Sequence, residues 1–283
     1  MADAAIDATT VTRAPAARCV RASCHTLSIR ETGQGTPLVL LHGIGSGSLS
    51  WAGQYDAFAA RHRVIAWDMP GYGGSAPVAA AEPCAADYAD ALADLLDTLD
   101  IATADVFGHS LGALIAAAFA HRHAARVRSL VLGSPATGYG NESPEARAEK
   151  LRARLKPMEE LGATGRAAAR AVALLGADAS SEALGLVRRV MEMVPADGFR
   201  RAAILSSRSD IFDHAPGIGA PTLVFCGTAD QVTSTASSQR VATSIAGAAY
   251  VDLPGLGHAC YVEAPAIVNA LVAGFLTRHD QGA

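Results

Sequence analysis

The sequence predicts an α/β fold, a mostly parallel, doubly wound sheet with a small all-helical cap inserted after the sixth strand. Three observations carry this. Short apolar runs alternate with helix-forming stretches along most of the 283 residues. Between residues 134 and 215 the alternation stops, only helical patterns remain, and then it resumes. At one strand–helix junction lies Gly108-His109-Ser110-Leu111-Gly112, a tight turn that lifts a serine above the sheet.

Residues 1–22 are rich in Ala, Thr and Asp, hold no apolar segment long enough for a signal peptide, and read as a flexible N-terminal tail. His25 to Glu31 alternates like an edge strand, and Gly33-Gln34-Gly35 makes a turn. Pro37 to Leu41 is continuously apolar, the mark of a strand buried on both faces. It runs into His42-Gly43-Ile44-Gly45-Ser46-Gly47-Ser48 and a helix from about Ser50 to Ala60. Val64 to Trp67 is the next strand, closed by Asp68-Met69-Pro70-Gly71-Tyr72-Gly73-Gly74-Ser75. Ala91, Leu92, Leu95, Leu96 and Leu99 form a one-sided stripe on a helix from about Ala85 to Leu99. Asp105-Val106-Phe107 ends the strand that carries Ser110, and the run Ala113 to Ala120 continues as helix. Val127 to Leu132 is another buried strand.

The helical insert breaks near Pro157, Gly162, Gly176, Pro195 and Gly217. Pro221 to Cys226 restores the strand pattern, followed by a helix near Ala236–Ile245, a strand at Ala249–Leu253 and a last helix from about Ala264 to Arg278. Residues 23–133 and 216–283 therefore make the core, and residues 134–215 a cap over the carboxyl ends of the strands, where open α/β sheets bind ligands. A separate helical partner-binding domain is the alternative for the insert.

Composition narrows the function classes. Half of the residues are hydrophobic, enough for a sizeable core. The net charge is −4 with scattered basic residues, which argues against nucleic acid and anionic membrane as partners. No run of about 18 apolar residues, the length that spans a bilayer, occurs in the sequence. Cys19, Cys24, Cys84, Cys226 and Cys260 are odd in number with no Cys-x-x-Cys pair, which speaks against a disulfide framework or zinc site and fits a cytoplasmic protein. The expected partner is a small-molecule substrate, with no metal and no organic cofactor; a homo-oligomer stays open.

A serine hydroxyl is a weak nucleophile unless a base takes its proton and a third group orients that base. The turn places Ser110 at the N-terminus of a helix, where backbone N–H groups meet a developing oxyanion. Late in the chain, Asp230 lies just past the strand that ends at Cys226, and His258 lies on the glycine-rich loop Pro254-Gly255-Leu256-Gly257 after the last strand. Ser110, Asp230 and His258 are thus the catalytic candidates. The oxyanion donors are the N–H of Leu111, next to the nucleophile, and that of Ile44, on the loop after the neighbouring strand. His42, Gly43 and His109 flank the site as candidate substrate contacts, with His42 also suited to bonding the loops together. Ten arginines between Arg147 and Arg208 offer candidates for holding a substrate carboxylate, with none singled out. Cys260 reads as packing.

These ordered motifs resemble the α/β-hydrolase superfamily over residues 25 to 280: His42-Gly43, Asp68 to Ser75, Gly108 to Gly112, Asp230 and Gly257-His258. The resemblance implies an α/β-hydrolase fold. Pro195 to Ala203 and Gly257 to Pro265 further resemble the 3-oxoadipate enol-lactonase group, whereas Asp68-Met69-Pro70-Gly71 resembles carboxylesterases and C–C hydrolases. Pro70 stands where that lactonase group commonly carries a basic residue, so the resemblance implies an ester or lactone and not a particular substrate. Serine at position 110 separates the chain from haloalkane dehalogenases and epoxide hydrolases, whose nucleophile is an aspartate. The expected function is a serine hydrolase of a small ester or (enol-)lactone. C–C bond hydrolysis of a diketone-like compound and ligand binding on a hydrolase scaffold are the alternatives.

Overall fold

The computed structural model describes residues 14–22 and 25–280. Eight strands form one sheet in the order β1-β2-β4-β3-β5-β6-β7-β8: β1 (Ala17–Arg21), β2 (Thr26–Thr32), β3 (Thr36–Leu41), β4 (His62–Trp67), β5 (Ala104–His109), β6 (Val127–Gly133), β7 (Thr222–Gly227) and β8 (Ala249–Leu253). The β1–β2 and β2–β4 pairs are antiparallel, and every later pair is parallel.

Strand periodicity splits the core in two. Val39 and Leu41 point to one face with Val106, Leu130, Leu132 and Val224. There they meet α2 (Ala85–Thr98), α3 (Leu111–Arg122) and α7 (Thr235–Thr243). Leu38 and Leu40 point to the other face with Phe107, Val131, Leu223 and Phe225. They are covered there by α1 (Ala52–Ala59) and α9 (Pro265–Asp280). Both faces being covered is why these strands read as unbroken apolar runs. No helix among the described residues is long and apolar enough to cross a membrane.

The insert holds α4 (Pro144–Arg170), α5 (Ser181–Glu192) and α6 (Ala196–Ser207) between β6 and β7. Gly162, at φ 63°, breaks α4 into two helical halves. On α5, Leu186, Val187, Val190 and Met191 join the second core, while Phe199, Ala202 and Leu205 of α6 join the first. A four-residue helix α8 (Cys260–Glu263) follows the last strand.

One boundary is corrected. Residues 17–21, assigned to the tail by composition, form the edge strand β1. Only Val20 of this strand is buried, and Arg18 pairs with Glu31 on β2. Backbone pairing rather than apolar burial holds the segment, so it leaves no hydrophobic pattern to read. Residues 1–13 of the expected tail lie outside the described residues.

Candidate active site

Ser110 sits between β5 and α3 at φ 54° and ψ −117°, a region that a residue with a Cβ occupies at a cost of about 1–3 kcal/mol. The flanking glycines are required by close approach. A Cβ on Gly108 would stand 2.3 Å from the Gly112 carbonyl oxygen, and one on Gly112 would stand 2.0 Å from that of Leu41. The turn is pinned by the Ser110 N–H, which donates to the Gly133 carbonyl at 2.9 Å. Ser110 is nearly buried and opens into a cavity of about 590 Å³ between the strand ends and the insert.

Asp230 follows β7, and both of its oxygens are occupied. Oδ1 accepts from the N–H groups of Val232 and Thr233 at 2.7 and 2.9 Å. Oδ2 accepts from the Thr233 hydroxyl at 2.7 Å and from His258 Nδ1 at 2.8 Å. Burial alone would raise this carboxyl, but the bonds from His258 and Thr233 prevail and hold it well below the usual carboxylate range. An ionised Asp230 fixes the proton of His258 on Nδ1, which leaves Nε2 as the acceptor. His258 lines the same cavity as Ser110.

The loop after β3 is held from beneath. His42 is fully buried, donates through Nδ1 to the Gly43 carbonyl at 2.9 Å and accepts at Nε2 from the Met69 N–H at 3.0 Å. With both nitrogens bonded to backbone, His42 does not line the cavity, so its candidacy as a substrate contact is corrected to a loop lock. Gly43 does line it: a Cβ there would meet the Ser110 Cβ at 3.1 Å. Ile44 and Leu111 line it too, and the Tyr72 hydroxyl donates to the Ile44 carbonyl at 2.9 Å. Asp68 completes the support, accepting from the Ser48 N–H and the Ser28 hydroxyl, each at 2.8 Å. The motif from Asp68 to Ser75 thus braces the loop after β3, and none of its residues lines the cavity.

His109 lines the cavity and donates from Nε2 to the His258 carbonyl at 2.8 Å. Burial, and then the neighbouring His258, push its pKa down to about 3, so it is neutral at pH 7. Cys226 packs against the acid, with Sγ 3.7 Å from Asp230 Oδ2, and Cys260 is buried in the second core. Among the described residues no group of His, Cys, Asp or Glu is arranged to hold a metal ion.

Sequence reasoning missed a clamp on the histidine loop. Glu263 Oε2 accepts from the N–H of Gly257 at 2.9 Å and that of Gly176, in the insert, at 3.0 Å. The Ala259 N–H donates to the Leu174 carbonyl at 2.8 Å. Glu263→Ala leaves two N–H groups without partners, each costing about 1–3 kcal/mol if they stay dry, and frees the loop bearing His258. We expect a lower melting temperature and a fall in kcat larger than the rise in KM. Glu263→Gln, which keeps an acceptor oxygen, should restore most of both; equal losses in the two variants would show that the clamp is not what matters.

Residues 36–265 match the family model for the alpha/beta hydrolase fold. The chain belongs to the α/β-hydrolase family. The enol-lactonase from Burkholderia xenovorans superposes on this α/β-hydrolase with a TM-score of 0.82 at 28% identity, covering 92% of this chain and 100% of that one. A thermophilic esterase from Thermogutta terrifontis gives a TM-score of 0.83 at 25% identity, covering 93% and 99%. The 2-hydroxymuconate semialdehyde hydrolase of a Pseudomonas species is 41% identical over 108 residues, 37% of this chain and 38% of that one. The chain spans 31% to 38% of the length of the first curated relatives it matches.

Proposed function

We propose that this α/β-hydrolase is a serine hydrolase of small carboxylic esters or lactones, working through an acyl-enzyme on Ser110. The observation that carries the reading is the Asp230–His258 bond of 2.8 Å, which leaves His258 Nε2 as a base in the cavity that holds Ser110. Enol-lactonase and esterase among the structural relatives support the bond type. Residues 134–215 serve as the cap that closes the cavity.

In this reading the Ser110 hydroxyl adds to the substrate carbonyl and its proton passes to His258 Nε2. The imidazolium formed is stabilised by Asp230. The carbonyl oxygen becomes an oxyanion held by the N–H groups of Ile44 and Leu111. Collapse breaks the C–O bond, and His258 returns the proton to the departing alcohol or enol oxygen, which in a lactone stays tethered to the acyl chain. Water then gives a proton to His258 and adds to the acyl carbon; the bond from that carbon to Ser110 Oγ breaks, His258 passes the proton to Oγ, and the acid leaves.

The discriminating experiment is a panel of ethyl acetate and ethyl butanoate, γ- and enol-lactones, and one β-diketone. Turnover of esters or lactones above that of the diketone is expected. Faster cleavage of the diketone would move the assignment to C–C hydrolysis, the kind of bond that the similarity to the semialdehyde hydrolase raises.

A further inference from the structure

Arg154, Arg166 and Arg170 line the cavity, and Arg166 is the one of these three that is buried, with no carboxylate of the described residues paired to it. Arg166, on the second half of α4, is 6% exposed, and neither its Nε nor its Nη2 has a hydrogen-bond partner. Both atoms are themselves buried, and Arg166 is part of the lining of the cavity. The group is held in place, with Cζ 4.5 Å from the centre of the Phe199 ring. A buried, unpaired charge is costly, and burial lowers the pKa of this guanidinium, with Arg170 and Arg154 nearby adding to the effect. The one acidic side chain lining the cavity, Glu142, is paired with Lys150. Among the described residues Arg166 is therefore a buried cation at the cavity with no carboxylate of the protein beside it.

Its position relative to the nucleophile follows from one loop. A Cβ on Gly43 would lie 3.5 Å from Ser110 Oγ, and one on Gly45 would lie 3.5 Å from both Nη1 and Nη2 of Arg166. Two residues of chain span at most about 7 Å, so the serine and the guanidinium lie along one wall of the same cavity. The rest of the lining includes Leu174, Val187, Val190 and Met191, which suits an otherwise apolar molecule.

We propose that the substrate carries a carboxylate besides its scissile carbonyl, and that the guanidinium of Arg166 pairs with it inside the cavity. This rests on the ester or lactone reading above. Arg166 is then the residue that selects acidic substrates over neutral ones of the same length.

The test compares kcat/KM for monoethyl succinate, glutarate and adipate and for butanoyloxyacetate with that for ethyl butanoate and ethyl hexanoate. It also measures binding of monoethyl glutarate and ethyl pentanoate to Ser110→Ala by calorimetry. In the wild type at least one acidic ester should exceed its neutral counterpart tenfold, and Arg166→Met should lower that ratio at least thirtyfold. Ser110→Ala should bind the acidic ester at least tenfold tighter than the neutral one, and the double variant with Arg166→Met should lose that difference. A melting temperature of Arg166→Met at or above that of the wild type is expected, since no ion pair is lost. Equal losses on acidic and neutral esters, no acidic preference, or a lowered melting temperature would overturn the proposal while leaving ester hydrolysis standing. Inert esters with Arg166-dependent binding of the acid would overturn the hydrolytic reading alone.

Discussion

Ser110→Ala should lower kcat/KM for the best ester or lactone by about 10³-fold or more, with the fold intact. The nucleophile is lost, whereas the oxyanion donors and the cavity remain and support only slow attack by water. Stability should barely change, because the hydroxyl is not what holds the turn: the Ser110 N–H bonds the Gly133 carbonyl at 2.9 Å, and its own carbonyl accepts from the N–H of Ala113 at 3.0 Å. Ser110→Gly separates the two properties further. Glycine accepts φ 54° without the Cβ penalty, so this variant should be as inactive as alanine yet melt at or above the wild type. Circular dichroism, thermal melts and a pH-stat assay decide it. Retention of more than a tenth of wild-type activity in Ser110→Ala would remove the serine from the mechanism.

Much of this site was legible because its signals are local. At Gly108 and Gly112 a Cβ would stand 2.0–2.3 Å from a backbone carbonyl oxygen, which excludes any other residue, so their spacing about Ser110 reports a real constraint. Asp230 stands out just past the buried strand β7 and His258 on the glycine-rich loop after β8, and parallel strands bring those loops to one edge. What stayed hidden depends on partners distant in sequence. His42 reads both as a substrate contact and as a bond between loops, and only its partner Met69, on the loop after β4, decides for the second. Thr233 and Glu263 are unremarkable in composition, yet one feeds the acid and the other ties the insert to the histidine loop. Among ten similar arginines, Arg166 is set apart only by the break at Gly162 and by the ring of Phe199 from another helix. β1 escaped for the opposite reason, since its strand pairing needs no apolar side chains.

Asp230→Asn should cost about 10⁴-fold in kcat/KM while leaving the cavity unchanged. An asparagine can still accept from the N–H groups of Val232 and Thr233, which bond one carboxylate oxygen at 2.7 and 2.9 Å. Its amide nitrogen, however, would face His258 Nδ1 in place of the oxygen at 2.8 Å. Two N–H groups cannot share that contact, so the imidazole shifts its proton to Nε2, and the base that should receive the serine proton is already protonated. The loss should therefore fall on kcat rather than KM. Stability supplies an independent check with a definite sign. The Asp230 carboxyl is held below its ordinary value of 3.8, so its contribution is full above that value and drains away as pH falls through the lowered native one. Denaturant titrations below pH 4 should then show the wild type losing stability with falling pH more steeply than Asp230→Asn. Parallel curves would mean that the unfolded chain holds this carboxyl equally well, and a rate loss under tenfold would mean that His258 keeps its tautomer without the acid.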